Sequence, residues 1–244
     1  VTAVSAGNHA IATAFAAQAL GIAEEAYQRA FEYAGERVQF GRKIIDFPAV
    51  RELLEKADEL GIFVRIDMED SPCTTRTIEI YRTLRSEYGA HVGLVLQSRL
   101  RRTLADLQEL SSAPGNYRLC KGIYREPRAI AWKQYETVRA NFIATMEKLL
   151  AGGAYVGIAT HDPYLVWAGM AEVDRLGLAP DRYEFQMLLG VDPELRRTIL
   201  SLGHRMRVYV PYGGDWYPYS TRRLRENPTV AKHVLRAMIG LQPT

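Results

Sequence analysis

The sequence predicts an α/β fold, a (βα)8-type barrel left incomplete at about six strands and preceded by a helical segment. Three observations carry this. From about Gly61 onward, short runs of branched and aromatic residues alternate with longer helical patterns, the signature of βα units around a parallel sheet. Each apolar run ends in polar residues, where parallel α/β folds place their ligands. The length of 244 residues suits one large domain of this kind.

Residues 1–58 read as an N-terminal helical segment. Alanine-rich helical periodicity runs over 11–36, breaks at Gly41, and resumes over 47–60, where Pro48 suits a first helical turn. No strand is evident before Phe63. Residues 59–244 then read as the barrel domain, with strands at 63–67, 92–97, 117–122, 155–160, 183–188 and 206–211. Helices are expected between them at 75–88, 102–110, 135–150, 164–176 and 194–202, with further helical patterns at 218–226 and 230–238. Such a set is about two strands short of closure. Either the N-terminal helices fill the gap or the sheet stays open, and an open edge leaves backbone groups unpaired and tends to recruit a partner or aggregate.

Composition narrows the class. The chain is 48% hydrophobic and 24% charged, as in soluble globular proteins, and its net charge of +3 is spread over interspersed residues. That gives no case for a nucleic-acid partner. Cys73 and Cys120 lie far apart and in no metal-ligand spacing, so reduced thiols in a cytoplasmic protein are expected, and no metal site. The apolar stretch 10–23 has no cationic segment before it and does not read as a targeting or spanning segment.

The strand ends are Asp67-Met-Glu69-Asp70, Gln97-Ser98-Arg99, Lys121-Gly-Ile-Tyr124-Arg125-Glu126, Thr160-His161-Asp162, Glu184-Phe-Gln186, and Tyr209 with Tyr212. Singly, each has a structural explanation: His161 as a hydrogen-bonded histidine, Asp67 as a cap of the following helix. In a barrel all of them converge on one rim, and their succession argues for a polar pocket.

The densest chemical signal is Tyr219-Ser-Thr-Arg222-Arg223-Leu-Arg-Glu226, which follows the run from Met206 through Tyr209 and Pro211. On a helix, Tyr219, Arg222 and Arg223 stand at i, i+3 and i+4 and share a face. Two guanidinium forks suit a small carboxylate, and the ring can cover an apolar substrate body. A solvated basic helix is the competing reading. The chain has no Gly-x-Ser-x-Gly elbow, phosphate loop, His-Glu-x-x-His or Gly-x-Gly-x-x-Gly. Chemistry carried by a cofactor is the remaining expectation.

Several segments together resemble the bacterial proline dehydrogenase family, in order and over residues 59–239. They are Phe63-Val-Arg-Ile-Asp-Met-Glu-Asp-Ser-Pro, Val95-Leu-Gln-Ser, Arg118-Leu-Cys-Lys-Gly-Ile-Tyr-Arg-Glu-Pro, Ala159-Thr-His-Asp-Pro, Tyr183-Glu-Phe-Gln-Met-Leu-Leu-Gly-Val, and Val208-Tyr-Val-Pro-Tyr-Gly with the Arg-Arg helix. The resemblance implies a distorted βα barrel that binds FAD and oxidises L-proline to Δ1-pyrroline-5-carboxylate, with hydride transfer to flavin N5 and electrons then passing to a quinone. It makes L-proline and a quinone the expected partners, with peripheral membrane contact and a homo-oligomer as further expectations.

By resemblance, Arg222 and Arg223 clamp the proline carboxylate, Tyr219 and Tyr209 wall the ring, Leu188 adds an apolar contact and Tyr124 closes the pocket. Arg118 resembles the arginine beside flavin N5, where a fixed cation favours the reduced flavin. Gln97 resembles a donor at the flavin edge, and Met68, Lys121, Gly122, Ile123, Thr160, His161 and Glu226 match positions that hold the cofactor. Asp67 resembles the family's active-site aspartate, which organises the site; Asp67 and Arg118 are thus the expected catalytic residues.

The front of the chain departs from this pattern, because family members carry two more strands there and a substrate-pairing lysine that nothing here matches. Residues 17–57, including Glu36-Arg37-Val-Gln39-Phe40-Gly41, instead resemble the C-terminal helices of acyl-CoA dehydrogenases, where residues matching Arg37, Gln39 and Phe40 touch FAD. Val4-Ser-Ala-Gly-Asn-His-Ala is similar to a turn of threonine dehydratases, without their Schiff-base lysine motif. The chain therefore reads as a mosaic. A truncated barrel that binds flavin or a small carboxylate without turnover is the alternative function, and an acyl-CoA dehydrogenase fragment a third.

Overall fold

In the computed structural model, which describes residues 2–4, 48–110 and 114–209, the apolar runs form parallel strands and the periodic stretches form the helices between them. The chain divides after Val95 into two units.

The first unit contains β1 (Thr2–Val4), α1 (Pro48–Glu59), β2 (Val64–Ile66), α2 (Ser71–Tyr88) and the start of β3 (Val92–Gln97). β1 pairs with β2 through Thr2↔Val64 and Val4↔Ile66, and β2 with β3 through Val64↔Val92 and Ile66↔Leu94. β1 corrects the expectation of no strand before Phe63. A three-residue strand is too short to show a period of two, and the alanine-rich pattern behind it dominates any window that contains it. Pro48 opens α1 as expected. α2 starts at Ser71, ahead of the predicted Thr75, because Pro72 is accommodated in the first turn, where an amide hydrogen has no helical partner. Its N-cap is Asp70, so Asp67 is not the cap; Asp67 Oδ1 instead accepts from the backbone N–H of Met68 at 3.0 Å. Thr74, Ile78, Tyr81 and Leu84 form the buried stripe of α2.

The second unit takes up the last two residues of β3 and continues with α3 (Thr103–Leu110), β4 (Asn116–Cys120), α4 (Tyr135–Ala151), β5 (Tyr155–Ala159), α5 (Pro163–Arg175), β6 (Tyr183–Leu188), α6 (Pro193–Ser201) and β7 (Met206–Tyr209). β4, β5, β6 and β7 are parallel neighbours in chain order, as successive βα units dictate. Beyond β3 the pairing runs on, Ser98 N–H donating to Cys120 O at 2.8 Å and Arg99 N–H to Lys121 O at 2.9 Å.

Period-two alternation sorts these strands into an apolar and a polar face. Leu119, Val156, Ile158, Phe185 and Met187 join Phe142, Met146, Leu165 and Ile199 of the helices in a core of fully buried side chains. Each such burial contributes about 1.5–3 kcal/mol. The other face carries Arg118, Gly157, Glu184, Gln186, Arg207 and their neighbours, and it is there that the candidate site is built. No helix among the described residues is long and apolar enough to cross a membrane.

Candidate active site

On the polar face of β4 to β7, register sets Arg118 beside Gly157, Gly157 beside Glu184, Gln186 beside Arg207, and Leu188 beside Tyr209. Arg207 grips Glu184 with a fork, Nε to Oε1 at 2.6 Å and Nη2 to Oε2 at 2.8 Å. Gln186 Nε2 donates to the same Oε1 at 2.6 Å, while Gln186 Oε1 accepts from Arg118 Nε at 2.7 Å. Burial by itself would raise the pKa of Glu184, but the Arg207 guanidinium, with the Gln186 and Tyr155 hydrogen bonds, holds it below the usual carboxylate range. The carboxylate is therefore ionised and paired. Tyr155, in contact with it, is pushed up to about 12 by burial and by the Glu184 charge.

The loops after β4 and β5 meet at Asp162, whose side chain is only 1% exposed. Its carboxylate accepts from Arg139 Nε and Nη2 at 2.9 and 2.6 Å, Tyr135 Oη at 2.6 Å and Lys121 Nζ at 3.1 Å. It also caps α5 by accepting from the N–H of Tyr164 at 3.2 Å. Tyr135 lies under two cations, Arg139 at 4.3 Å and Lys121 at 4.9 Å from the ring centroid. Beside this hub, His161 Nε2 accepts from the N–H of Leu188 at 2.8 Å, tying the end of β5 to the end of β6. That bond makes Nε2 the unprotonated ring nitrogen.

After β4 the chain turns at Gly122, whose φ of +91° a side chain would rarely adopt. A Cβ there would stand 2.6 Å from Gln97 Oε1, so the backbone passes close to the buried Gln97 amide. Gln97 is 5% exposed and Thr160 5% exposed, which makes both of them interior polar groups rather than solvated loop residues.

The structure thus brings Gln97, Lys121, Gly122, Thr160, His161 and Leu188 to the strand ends of the second unit, with Arg118 in the middle of β4 and Tyr209 as the cross-strand neighbour of Leu188. Ile123 and Tyr124 follow Gly122 in the loop after β4 and are half-buried. Asp67 and Met68 follow β2 in the first unit, Met68 being 6% exposed. Tyr219, Arg222, Arg223 and Glu226, with the helical patterns that contain them, lie outside the described residues. Sequence reasoning placed Asp162, Glu184 and Gln186 among the polar strand ends without an individual role, and did not single out Arg139, Tyr135, Arg207 or Gly157 as site residues. The available signals were Tyr135 and Arg139 at i, i+4 on one helix face, and Glu184, Gln186 and Leu188 at alternate strand positions. No group of three or more His, Cys, Asp or Glu side chains suited to a metal ion occurs among the described residues.

A parallel βα array with a polar network on one strand face defines an α/β protein of the class whose ligands bind beyond the carboxyl ends of the strands. The chain belongs to the proline dehydrogenase family, whose sequence profile matches residues 3–236. It is 40% identical over 190 residues to the proline dehydrogenase of Deinococcus radiodurans, covering 78% of this chain and 61% of that one. It is 37% identical over 187 residues to proline dehydrogenase 2 of Bacillus subtilis, covering 77% and 61%. The chain spans about three fifths of the length of these curated relatives. Among solved structures, proline utilization A of Bdellovibrio bacteriovorus superposes with a TM-score of 0.68 at 25% identity, over 80% of this chain and 24% of that one. The protein of that name from Corynebacterium freiburgense gives 0.64 at 18% identity, over 99% and 30%. The barrel-type α/β class expected from the sequence stands, with β1 added to the strand count.

Proposed function

We propose that this chain catalyses the FAD-dependent oxidation of L-proline to Δ1-pyrroline-5-carboxylate and passes the electrons to a quinone. The observation that carries the reading is the Arg118 guanidinium, held by Gln186 on the polar strand face of a chain that belongs to the proline dehydrogenase family. What supports FAD is the fit of the donor set. Gly122 lets the backbone close onto the buried Gln97 amide at the end of β3, which holds a polar group for the edge of a flat ring, and the Arg118 cation stands on β4.

When bound, FAD supplies a hydride acceptor, which no side chain can replace. Arg118 presents a fixed positive charge where negative charge develops. Gln97 offers an amide to the ring edge, and Met68, Lys121, Gly122, Ile123, Thr160, His161 and Glu226 complete the cofactor contacts. Arg222 and Arg223 clamp the substrate carboxylate, while Tyr209, Tyr219, Leu188 and Tyr124 cover the proline ring and exclude water. Asp67 organises the site through its neighbours. A cytoplasmic location, peripheral contact with a quinone-bearing membrane, self-association, and a mosaic origin of residues 17–57 belong to the same proposal.

The test is an absorbance spectrum of the monodisperse protein, followed by anaerobic addition of L-proline. Flavin bands that bleach on proline are the expected result; folded protein that stays colourless after added FAD would overturn the reading. Bands that persist favour the second reading, a flavin or carboxylate binder without turnover. The observation in its favour is that no residue here matches the family's substrate-pairing lysine.

A further inference from the structure

We propose that Glu184 and Gln186 are positioning residues that set the plane and environment of the Arg118 guanidinium, and that Gly157 is the opening through which they reach it. This deepens the proposed function and rests on the reading of Arg118 as the cation beside flavin N5.

Arg118 on β4 and Gln186 on β6 are separated by a whole strand, β5, a span of about 10 Å between backbones. Their 2.7 Å hydrogen bond crosses over β5 beside Gly157, the residue in register with both Arg118 and Glu184. A Cβ at position 157 would lie 2.5 Å from Gln186 Nε2 and 3.0 Å from its Cδ. A side chain at position 157 would push the Gln186 amide away from this path.

The amide of Gln186 has a donor end and an acceptor end, and Arg118 Nε can use only the acceptor. Glu184 decides which end arrives. An ionised carboxylate can only accept, so it takes the Nε2 group at 2.6 Å and turns Oε1 toward Arg118. Glu184 in turn is fixed by the Arg207 fork. Because a guanidinium is planar, fixing Nε fixes the direction of its terminal nitrogens. The chain Arg207, Glu184, Gln186, Arg118 has a second consequence. The charge of Glu184 is matched by Arg207, and the group touching Arg118 Nε is a neutral amide. A carboxylate in that place would offset the positive charge that the site needs.

The experiment uses the FAD-loaded full chain and reads the two-electron midpoint potential of the flavin in Arg118→Leu, Gln186→Leu, Gly157→Ala and the double variant Arg118→Leu/Gln186→Leu. Expected are negative shifts for Gln186→Leu and Gly157→Ala, in the direction of Arg118→Leu, and no further shift in the double variant. If Arg118→Leu moves the potential but Gln186→Leu does not, or if the two shifts add, the positioning role is overturned while the reading of Arg118 stands. If Arg118→Leu leaves the potential unchanged, that reading fails and takes the positioning role with it. A second readout needs no flavin: an arginine Nε–H resonance protected from exchange in the ¹⁵N-labelled protein, lost in both Arg118→Leu and Gln186→Leu. Its persistence in Gln186→Leu would also overturn the proposal, including for a variant that no longer retains FAD.

Discussion

Arg139 holds both oxygens of the buried Asp162 carboxylate, Nε on Oδ2 at 2.9 Å and Nη2 on Oδ1 at 2.6 Å. A bidentate pair of this kind is rigid in plane as well as in distance. Tyr135, Lys121 and the first turn of α5 donate to the same carboxylate. One aspartate therefore fixes the start of α5, the start of α4 and the Lys121 side chain proposed to meet the cofactor.

Replacing that aspartate is expected to be severe. Asp162→Ala leaves two cations beside an emptied site and removes the cap of α5, so a loss of about 3–5 kcal/mol is expected in urea unfolding. Asp162→Asn keeps part of the cap and loses less. The pair also sets an acid limb. Burial alone would raise the pKa of Asp162, but Arg139, Tyr135 and Lys121 bring it well below the usual carboxylate range. The unfolded state then binds the proton more readily, so the contribution is complete above the ordinary aspartate value of about 3.9 and is lost as pH falls below it. Stability plotted from pH 6 downward should fall less steeply in Asp162→Asn than in the parent, and equal slopes would refute the assignment.

Gly122→Ala is expected to weaken flavin binding about tenfold, equivalent to about 1.4 kcal/mol. The backbone there is at φ +91°, and the added methyl would meet Gln97 Oε1 at 2.6 Å. Fluorescence titration of the apoprotein with FAD measures it; unchanged affinity would show that this turn does not face the cofactor.

Cys73 should alkylate slowly despite its exposure. Partial burial, then the hydrogen bond and charge of Asp70 and the charge of Glu69, push the thiol up to about 11. At pH 8 roughly one thiol in a thousand is ionised, and the thiolate is the nucleophile. Asp70→Asn should speed iodoacetamide labelling by about threefold to tenfold; an unchanged rate would assign the slowness to burial alone.

Asp192 caps α6 from the left-handed region, at φ 43°, accepting from the N–H of Leu195 at 3.0 Å. Asp192→Asn should be nearly neutral, since asparagine tolerates that conformation and keeps an acceptor. Asp192→Ala loses both and should cost about 1–2 kcal/mol by thermal unfolding.

Much of the fold was legible because it is local. The buried runs Val92–Gln97 and Tyr183–Leu188 appear in the structure with the predicted bounds, and prolines mark the starts of α1, α2, α5 and α6. The site was legible as a row of polar strand ends, since a strand end is a position in the sequence. Its internal wiring was not. Arg118 and Gln186 are 68 residues apart, and Arg139 and Asp162 are 23 apart. β1 escaped because three residues carry no readable period.

The sequence by itself determined where the described strands and helices after Pro48 form, to within a few residues, which strand positions alternate in polarity, and which family the chain resembles, because periodicity and turn chemistry act over a few residues. Only the tertiary structure decided that Gly157 lies against the Gln186 amide, that Gln186 presents its oxygen to Arg118, and that Asp162 gathers Arg139, Tyr135 and Lys121. These facts depend on register between strands and on helices packed across them, which are set by burial of the whole apolar face rather than by any local run of residues.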